Sequence, residues 1–177
     1  MLRRLATFFQ HRWMDESDTR RAIAPAALKR LTHRVAASES RHTGEIRIFV
    51  EASLPLSYLW RHVWHKTDME TLARQRAVTV FGKLRVWDTQ LNNGVLIYLL
   101  LAERKIELMA DRGVNDVVAQ REWQQLLESM SAEFSANRFE GGLTLALDEV
   151  SSRLAQHFPL PPGAERRNEL PDAPALG

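Results

Sequence analysis

The stretch NNGVLIYLLLAERKIELMA, Asn92 to Ala110, decides the fold. Asn92-Asn93-Gly94 is a turn signal, and every position from Val95 to Leu101 is apolar, the pattern of a strand buried on both faces. After Ala102-Glu103-Arg104-Lys105 the apolar residues alternate at Ile106, Leu108 and Ala110, so a further strand returns beside the first as a hairpin. A strand that is apolar on both faces needs helices on both sides of its sheet.

Working outward, Met69, Leu72, Ala73, Ala77, Val80, Phe81 and Leu84 recur at three- and four-residue spacing between Asp68 and Val86, which predicts a helix of about five turns. Before it, Ile46, Ile48 and Val50 alternate with Glu45, Arg47, Phe49 and Glu51, as in a half-buried strand. Strand, crossover helix and strand make a right-handed βαβ unit with parallel strands. Pro25 opens a helix through Leu28, Leu31 and Val35 that ends near Ser40 to Thr43. Two more amphipathic helices carry Trp123, Leu126, Leu127, Met130 and Phe134, then Leu143, Leu147, Val150 and Leu154, with Gly141-Gly142 read as their separator. Residues 53–67, with Pro55, show no clear period. The predicted fold is α/β: a small mixed sheet, βαβ plus antiparallel hairpin, covered by helices on both faces.

The 177 residues, 45% apolar and 26% charged, fit one compact unit, and the absence of cysteine excludes disulfides, Cys-ligated zinc and Cys nucleophiles. The longest apolar run, Val95 to Ala102, is far short of the about 20 residues a spanning helix needs. Leu2, Leu5, Phe8, Phe9 and Trp13 form an apolar stripe beside Arg3, Arg4 and Arg12. Residues 1–24 therefore read as an N-terminal amphipathic helix that docks on its own domain or lies on a membrane surface, not as a cleavable signal, and Asp15 to Asp18 suits capping. A globular domain spans 25–158. Residues 159–177, with Pro159, Pro161, Pro162, Pro171 and Pro174, read as a disordered tail. Residues 1–42 hold nine basic against four acidic residues, suiting an anionic partner. Twenty of the 24 basic residues are Arg, however, a bias that a GC-rich genome produces without any binding, and nucleic acid is not expected as a partner.

Chain reversal brings Thr43, Gly44, Glu45, Asp88, Asn92, Asn93, Asp111 and Arg112 to the N-terminal edge of the sheet, with a helix starting near Asp116 aimed at it. The carboxyl edge, with Glu51, Ser53, Glu103 and Lys105, is the rival location. Asp88, Asp111 and Asp116 with the amide oxygens of Asn92 and Asn93 are the oxygen ligands that Ca²⁺ or Mg²⁺ takes, unless the acids merely cap helices. His62 and His65 with Asp68 make a transition-metal set, whereas Trp60, His62, Trp64 and His65 together read as a partner patch or lid. Arg112 beside Gly113 offers a fork to phosphate or carboxylate, or is a surface arginine. No phosphate-binding glycine loop, His-Glu-x-x-His or Gly-x-Ser-x-Gly motif occurs.

Thr43-Gly44-Glu45-Ile46-Arg47-Ile48, Asn93-Gly94-Val95-Leu96-Ile97-Tyr98, Glu103-Arg104-Lys105-Ile106-Glu107-Leu108, Asp111-Arg112-Gly113-Val114 and the FSANRFEGG of Phe134 to Gly142 resemble the TPM-domain (TPM phosphatase) family from about Thr32 to Phe158, especially its short bacterial members without signal peptide or membrane anchor. The resemblance implies a Rossmann-like α/β/α sandwich, Ca²⁺ binding by acidic and amide side chains at one end of the sheet in some members, acid phosphatase activity in others, and an envelope or membrane-protein complex as partner. This chain departs from the family pattern. Asn92-Asn93-Gly94 stands for Asp-Asn-Gly and Asp111-Arg112-Gly113-Val114-Asn115 for Gly-x-Gly-Leu-Glu, so two carboxylates are lost and Asp111 restores one. The expectation is a binding or accessory module, cytoplasmic and peripheral at the inner membrane. The alternative is a weak metal-dependent phosphomonoesterase.

Overall fold

The computed structural model describes residues 2–14, 16–164 and 167–177, with the side chains of Leu2, Arg3, Leu5 and Glu16 outside that description. Asp15 of the expected capping stretch also lies outside the described residues. The order is α1 (Leu2–Trp13), α2 (Glu16–Ala22), α3 (Pro25–Glu39), β1 (Glu45–Glu51), α4 (Leu56–Trp64), α5 (Met69–Lys83), β2 (Gly94–Leu100), β3 (Lys105–Ala110), α6 (Arg112–Asn115), α7 (Gln120–Ser135), α8 (Phe139–His157) and β4 (Ala175–Leu176). The sheet runs β3-β2-β1-β4. β1 and β2 are parallel, Ile46 opposite Val95, and β3 returns antiparallel, Val95 opposite Ala110, as the sequence predicts.

β2 divides the core by parity. Val95, Ile97 and Leu99 join Ile46, Ile48 and Val50 under α3, α7 and α8, while Leu96, Tyr98 and Leu100 face Leu72, Ala77 and Val80 of α5. The fold is a mixed α/β sandwich with helices on both faces. Two buried apolar layers of this kind each remove side chains worth roughly 1.5–3 kcal/mol apiece from water.

Two local readings of the sequence change. Gly141-Gly142 does not separate two helices; both lie in the first turn of α8, where a Cβ on Gly142 would meet the Phe134 ring at 2.5 Å. The break falls instead at Asn137, whose φ of 59° stops α7. No helix starts at Asp116: that residue ends the short α6, and α7 begins at Gln120.

Residues 170–177 of the tail pack against β1. Ala175–Leu176 pairs parallel with β1, and the Gly177 N–H donates to the Val50 carbonyl at 2.9 Å. Leu170 is buried, and its N–H donates to Glu45 at 3.1 Å. The buried Arg47 guanidinium donates to the Pro171 and Ala173 carbonyls, and burial lowers its pKa. The face of β1 that alternation assigns to solvent is therefore covered, because the tail supplies carbonyls and N–H groups that the charged side chains need.

Gly94 opens β2 where the Val86 carbonyl crosses it, and a Cβ there would sit 2.0 Å from that oxygen. Backbone cannot move aside as a side-chain tip can. Gly94→Ala is expected to destabilise the fold by about 3 kcal/mol or more, read as a lower urea midpoint; an unchanged midpoint would show that the Val86 turn yields.

Candidate functional site

At the N-terminal edge two loops are stitched together. The Asp111 N–H donates to the Gly94 carbonyl at 2.9 Å and the Gly113 N–H to the Asn92 carbonyl at 3.0 Å, so Asn92-Asn93-Gly94 and Asp111-Arg112-Gly113 lie side by side. Asn92 takes φ 52°, the left-handed turn conformation that asparagine tolerates. A Cβ at Gly113 would come within 2.7 Å of the Asn92 carbonyl oxygen, so this approach needs glycine. Asn93 is 1% exposed. Its N–H donates to Thr89 Oγ1 at 3.0 Å and its Nδ2 to Thr43 Oγ1 at 3.2 Å.

Two oxygens in this corner are buried without a hydrogen-bond partner among the described residues: Asn93 Oδ1 and Asp111 Oδ2. The other Asp111 oxygen caps α6 by accepting the Arg112 N–H at 2.7 Å. Unpaired buried oxygens of this type are acceptors in want of a proton or a cation. The remaining candidates stand apart. Asp88 is exposed and paired with Arg85, Asp116 is exposed at the end of α6, and Arg112 is exposed without an ion-pair partner among the described residues. Arg112, Asn92, Asn93 and Asp111 are thus brought together, while Asp88 and Asp116 are not.

The carboxyl edge is closed by the chain itself. His11, 1% exposed, accepts the Leu54 N–H on Nδ1 at 3.1 Å, which leaves its Nε2–H to donate to Glu103 at 2.9 Å. Gln10 Nε2 donates to the Ala102 carbonyl and Arg4 Nη1 to the His62 carbonyl, each at 2.7 Å, bolting α1 across the strand ends. Glu51 is held by Arg76, Nε to Oε2 2.9 Å, and accepts the Tyr98 hydroxyl at 2.7 Å. Burial, with the Glu51 charge beside it, keeps the Tyr98 phenol far above its usual range. Burial works against the Arg76 charge, but the Glu51 hydrogen bonds and charge outweigh it and leave the guanidinium pKa raised.

His62, His65 and Asp68 do not converge. His62 is buried with Nδ1 2.8 Å from the Thr67 carbonyl, His65 ends α4 in solvent, and Asp68 caps α5 by accepting from Thr71. Those Thr71 hydrogen bonds hold the Asp68 carboxyl below its ordinary pKa. Trp60 and Trp64 are exposed and stacked, centroids 4.1 Å apart, so the patch is aromatic with His62 beneath it. Among the described residues no group of three His, Asp or Glu side chains is placed to hold a metal.

Of the two hydroxyls that fix Asn93, sequence reading places Thr43 at this edge but misses Thr89, because an isolated threonine in a loop carries no periodic signal. It also misses a buried Ser–His pair. Arg41 donates to Ser151 Oγ at 2.9 Å, so that hydroxyl donates to His42 Nε2 at 3.2 Å, and the Nδ1–H donates to the Gly44 carbonyl. Both residues are fully buried, so the pair locks α8 to the loop before β1 rather than meeting a substrate.

A family model described as TPM domain matches residues 17–153. The BA42 protein from the psychrophilic bacterium Bizionia argentinensis, solved by NMR, is a similar structure, with 26% sequence identity and a TM-score of 0.71 over 88% of this chain and 95% of that one. No curated protein matches. The family resemblance carried by the strand and loop segments thus holds, and α1 lies outside the matched residues.

Thr89→Val removes the acceptor of a buried N–H and should cost about 1–3 kcal/mol, measured by urea unfolding. A variant as stable as the parent would mean that Asn93 finds another acceptor.

Proposed function

The chain belongs to the TPM domain family, and from that premise we propose that it is a binding module, not a hydrolase, that docks on an anionic membrane surface through α1 and α4 and serves a membrane-associated protein complex at the cytoplasmic side. One observation carries this reading: the two adjacent helices expose Phe9, Trp13, Leu56, Trp60 and Trp64, and their sequences hold four Arg and no Asp or Glu. Trp13 is 83% exposed. Indole rings favour the headgroup zone, where the apolar ring and the N–H both find suitable surroundings. Basic residues near an anionic leaflet add about 1 kcal/mol each. Of the sequence-predicted stripe, the side chains of Leu2, Arg3 and Leu5 lie outside the described residues; Phe8 turns inward against the core, and Phe9 and Trp13 remain outward. Among the described residues no helix is long and apolar enough to cross a membrane, so contact of this kind is peripheral.

Sedimentation with phosphatidylcholine vesicles, with and without phosphatidylserine, tests the reading. The full chain should pellet only with the anionic vesicles. Replacing Trp13 and Trp64 by alanine should weaken partitioning by about tenfold, the equivalent of 1.4 kcal/mol. Equal pelleting with both lipid mixtures overturns the preference for an anionic surface, and none with either disposes of membrane docking.

A second reading rests on the orphaned oxygens. Asn93 Oδ1 and Asp111 Oδ2 suit a hard cation such as Ca²⁺ or Mg²⁺, although only Asp111 is anionic. Such an ion supplies charge that polarises a phosphoryl oxygen, and Arg112 would fork onto the same phosphate. This is the phosphomonoesterase alternative. Ca²⁺ at ten times its dissociation constant should raise the stability of the parent by about 1.4 kcal/mol and leave Asp111→Asn unmoved; equal shifts in both proteins place the ion elsewhere. Hydrolysis of a generic phosphate ester that depends on the ion and vanishes in Asp111→Asn would make the module an enzyme.

A further inference from the structure

One edge of the sheet is covered and the other is open. Beyond β1 lies β4, but among the described residues nothing pairs with the outer side of β3. The register fixes which groups point outward there. The Asp111 N–H bonds to the Gly94 carbonyl and Val95 stands opposite Ala110, so the odd-numbered residues of β3 bond to β2. Ile106 and Leu108 therefore turn their N–H and C=O groups away from the sheet, and no hydrogen bond reaches those groups from the described residues. The Ala110 carbonyl, next along the same line, is already taken by Asn115 Nδ2 at 2.7 Å. The Ile106 and Leu108 side chains are buried in the core with Trp123, Leu126 and Phe134 of α7, which holds the strand in place.

Along this edge runs a groove of about 570 Å³. Its α5 wall is a charged lattice, Arg74 to Glu107 at 3.1 Å and Lys105 to Glu70 at 3.3 Å. Its α7 wall presents Gln124, Glu128 and Ser131 around the half-buried Leu127, with the buried Phe134 behind them. Exposed edges are ordinarily blunted by proline, by a bulge or by charges projecting over the free side. β3 contains no proline, and Lys105 and Glu107 are drawn sideways to α5.

We infer that this groove binds an extended segment of a partner protein as an added strand on β3, with a small apolar side chain over Leu127 on the α7 side and charged side chains toward α5. Two donor–acceptor pairs two residues apart on one line are matched by an extended main chain. A second copy of the protein fits poorly, because its own β3 is flanked by α5 and α7 and those helices would meet first. The inference is independent of membrane docking and of the cation corner.

Hydrogen exchange on the full chain tests it, using as probe an eight-residue peptide that alternates valine with threonine, lysine and glutamate, beside the same peptide N-methylated at the residues facing β3. The unmodified peptide should slow exchange at the Ile106 and Leu108 amides by about tenfold or more, and the methylated one should not. Gln124→Trp fills the groove without touching the ladder, and should abolish protection while unfolding like the parent. Unchanged exchange at high peptide concentration, equal protection by the methylated peptide, or full protection in Gln124→Trp would each overturn the inference. Protection that appears without peptide, together with a doubled mass in solution, would assign the edge to self-pairing instead.

Discussion

Val95 to Leu100 of β2 have no side chain in contact with water on either face, and that double burial sets the rest of the molecule. A strand of this kind is stable only when apolar helices cover both sides, so α5 must lie on one face and α3, α7 and α8 on the other. Once β2 is central, the parallel β1 and the antiparallel β3 are its neighbours, and the loops that enter β2 and leave β3 meet at one edge. The Asn93–Asp111 corner is a by-product of that geometry. Strand order brings the two loops to one edge, and Gly113 allows their close approach.

This part of the fold is legible because apolar period alone dictates it. Ile46, Ile48 and Val50 alternate, β2 does not, and Ile106 and Leu108 alternate again, which yields strand order and direction without coordinates. The reading stops where polar groups bury one another. Glu45, Arg47 and Glu51 look like a solvent face, yet each is buried against a partner more than 20 residues away: the Leu170 N–H, the carbonyls of Pro171 and Ala173, and Arg76. A proline-rich tail has too little apolar surface to fold by itself. Here its backbone, not its side chains, is what β1 requires, and backbone demand leaves no trace in composition.

The candidate site was legible to the same degree and for the same reason. Strand order placed Asn93 and Asp111 together, but the roles of Asp88 and Asp116 depended on helix boundaries that the sequence does not mark. Asp88 turns to Arg85 in a surface pair worth little, and Asp116 ends a four-residue helix. α4 was unreadable because Leu56, Trp60 and Trp64 face outward while Leu59 faces in beside His62, so apolar residues fall on both sides of the helix.

That outward aromatic stripe acquires meaning from what lies outside the matched family region. Ligands of open α/β sheets usually enter at the carboxyl ends of the strands, and in this chain that edge is occupied by α1, fixed by His11, Gln10 and Arg4. The matched residues begin at Ser17 and end at Arg153, so both the helix that plugs this edge and the strand that pairs with β1 lie outside the matched region. Each covers a place where a ligand or a partner strand would otherwise enter. Left open among the described residues are the polar corner, the outer edge of β3 and the aromatic face that α1 makes with α4. Under the proposed membrane docking, the helix that closes the customary ligand edge is also the one that exposes Phe9 and Trp13 to water.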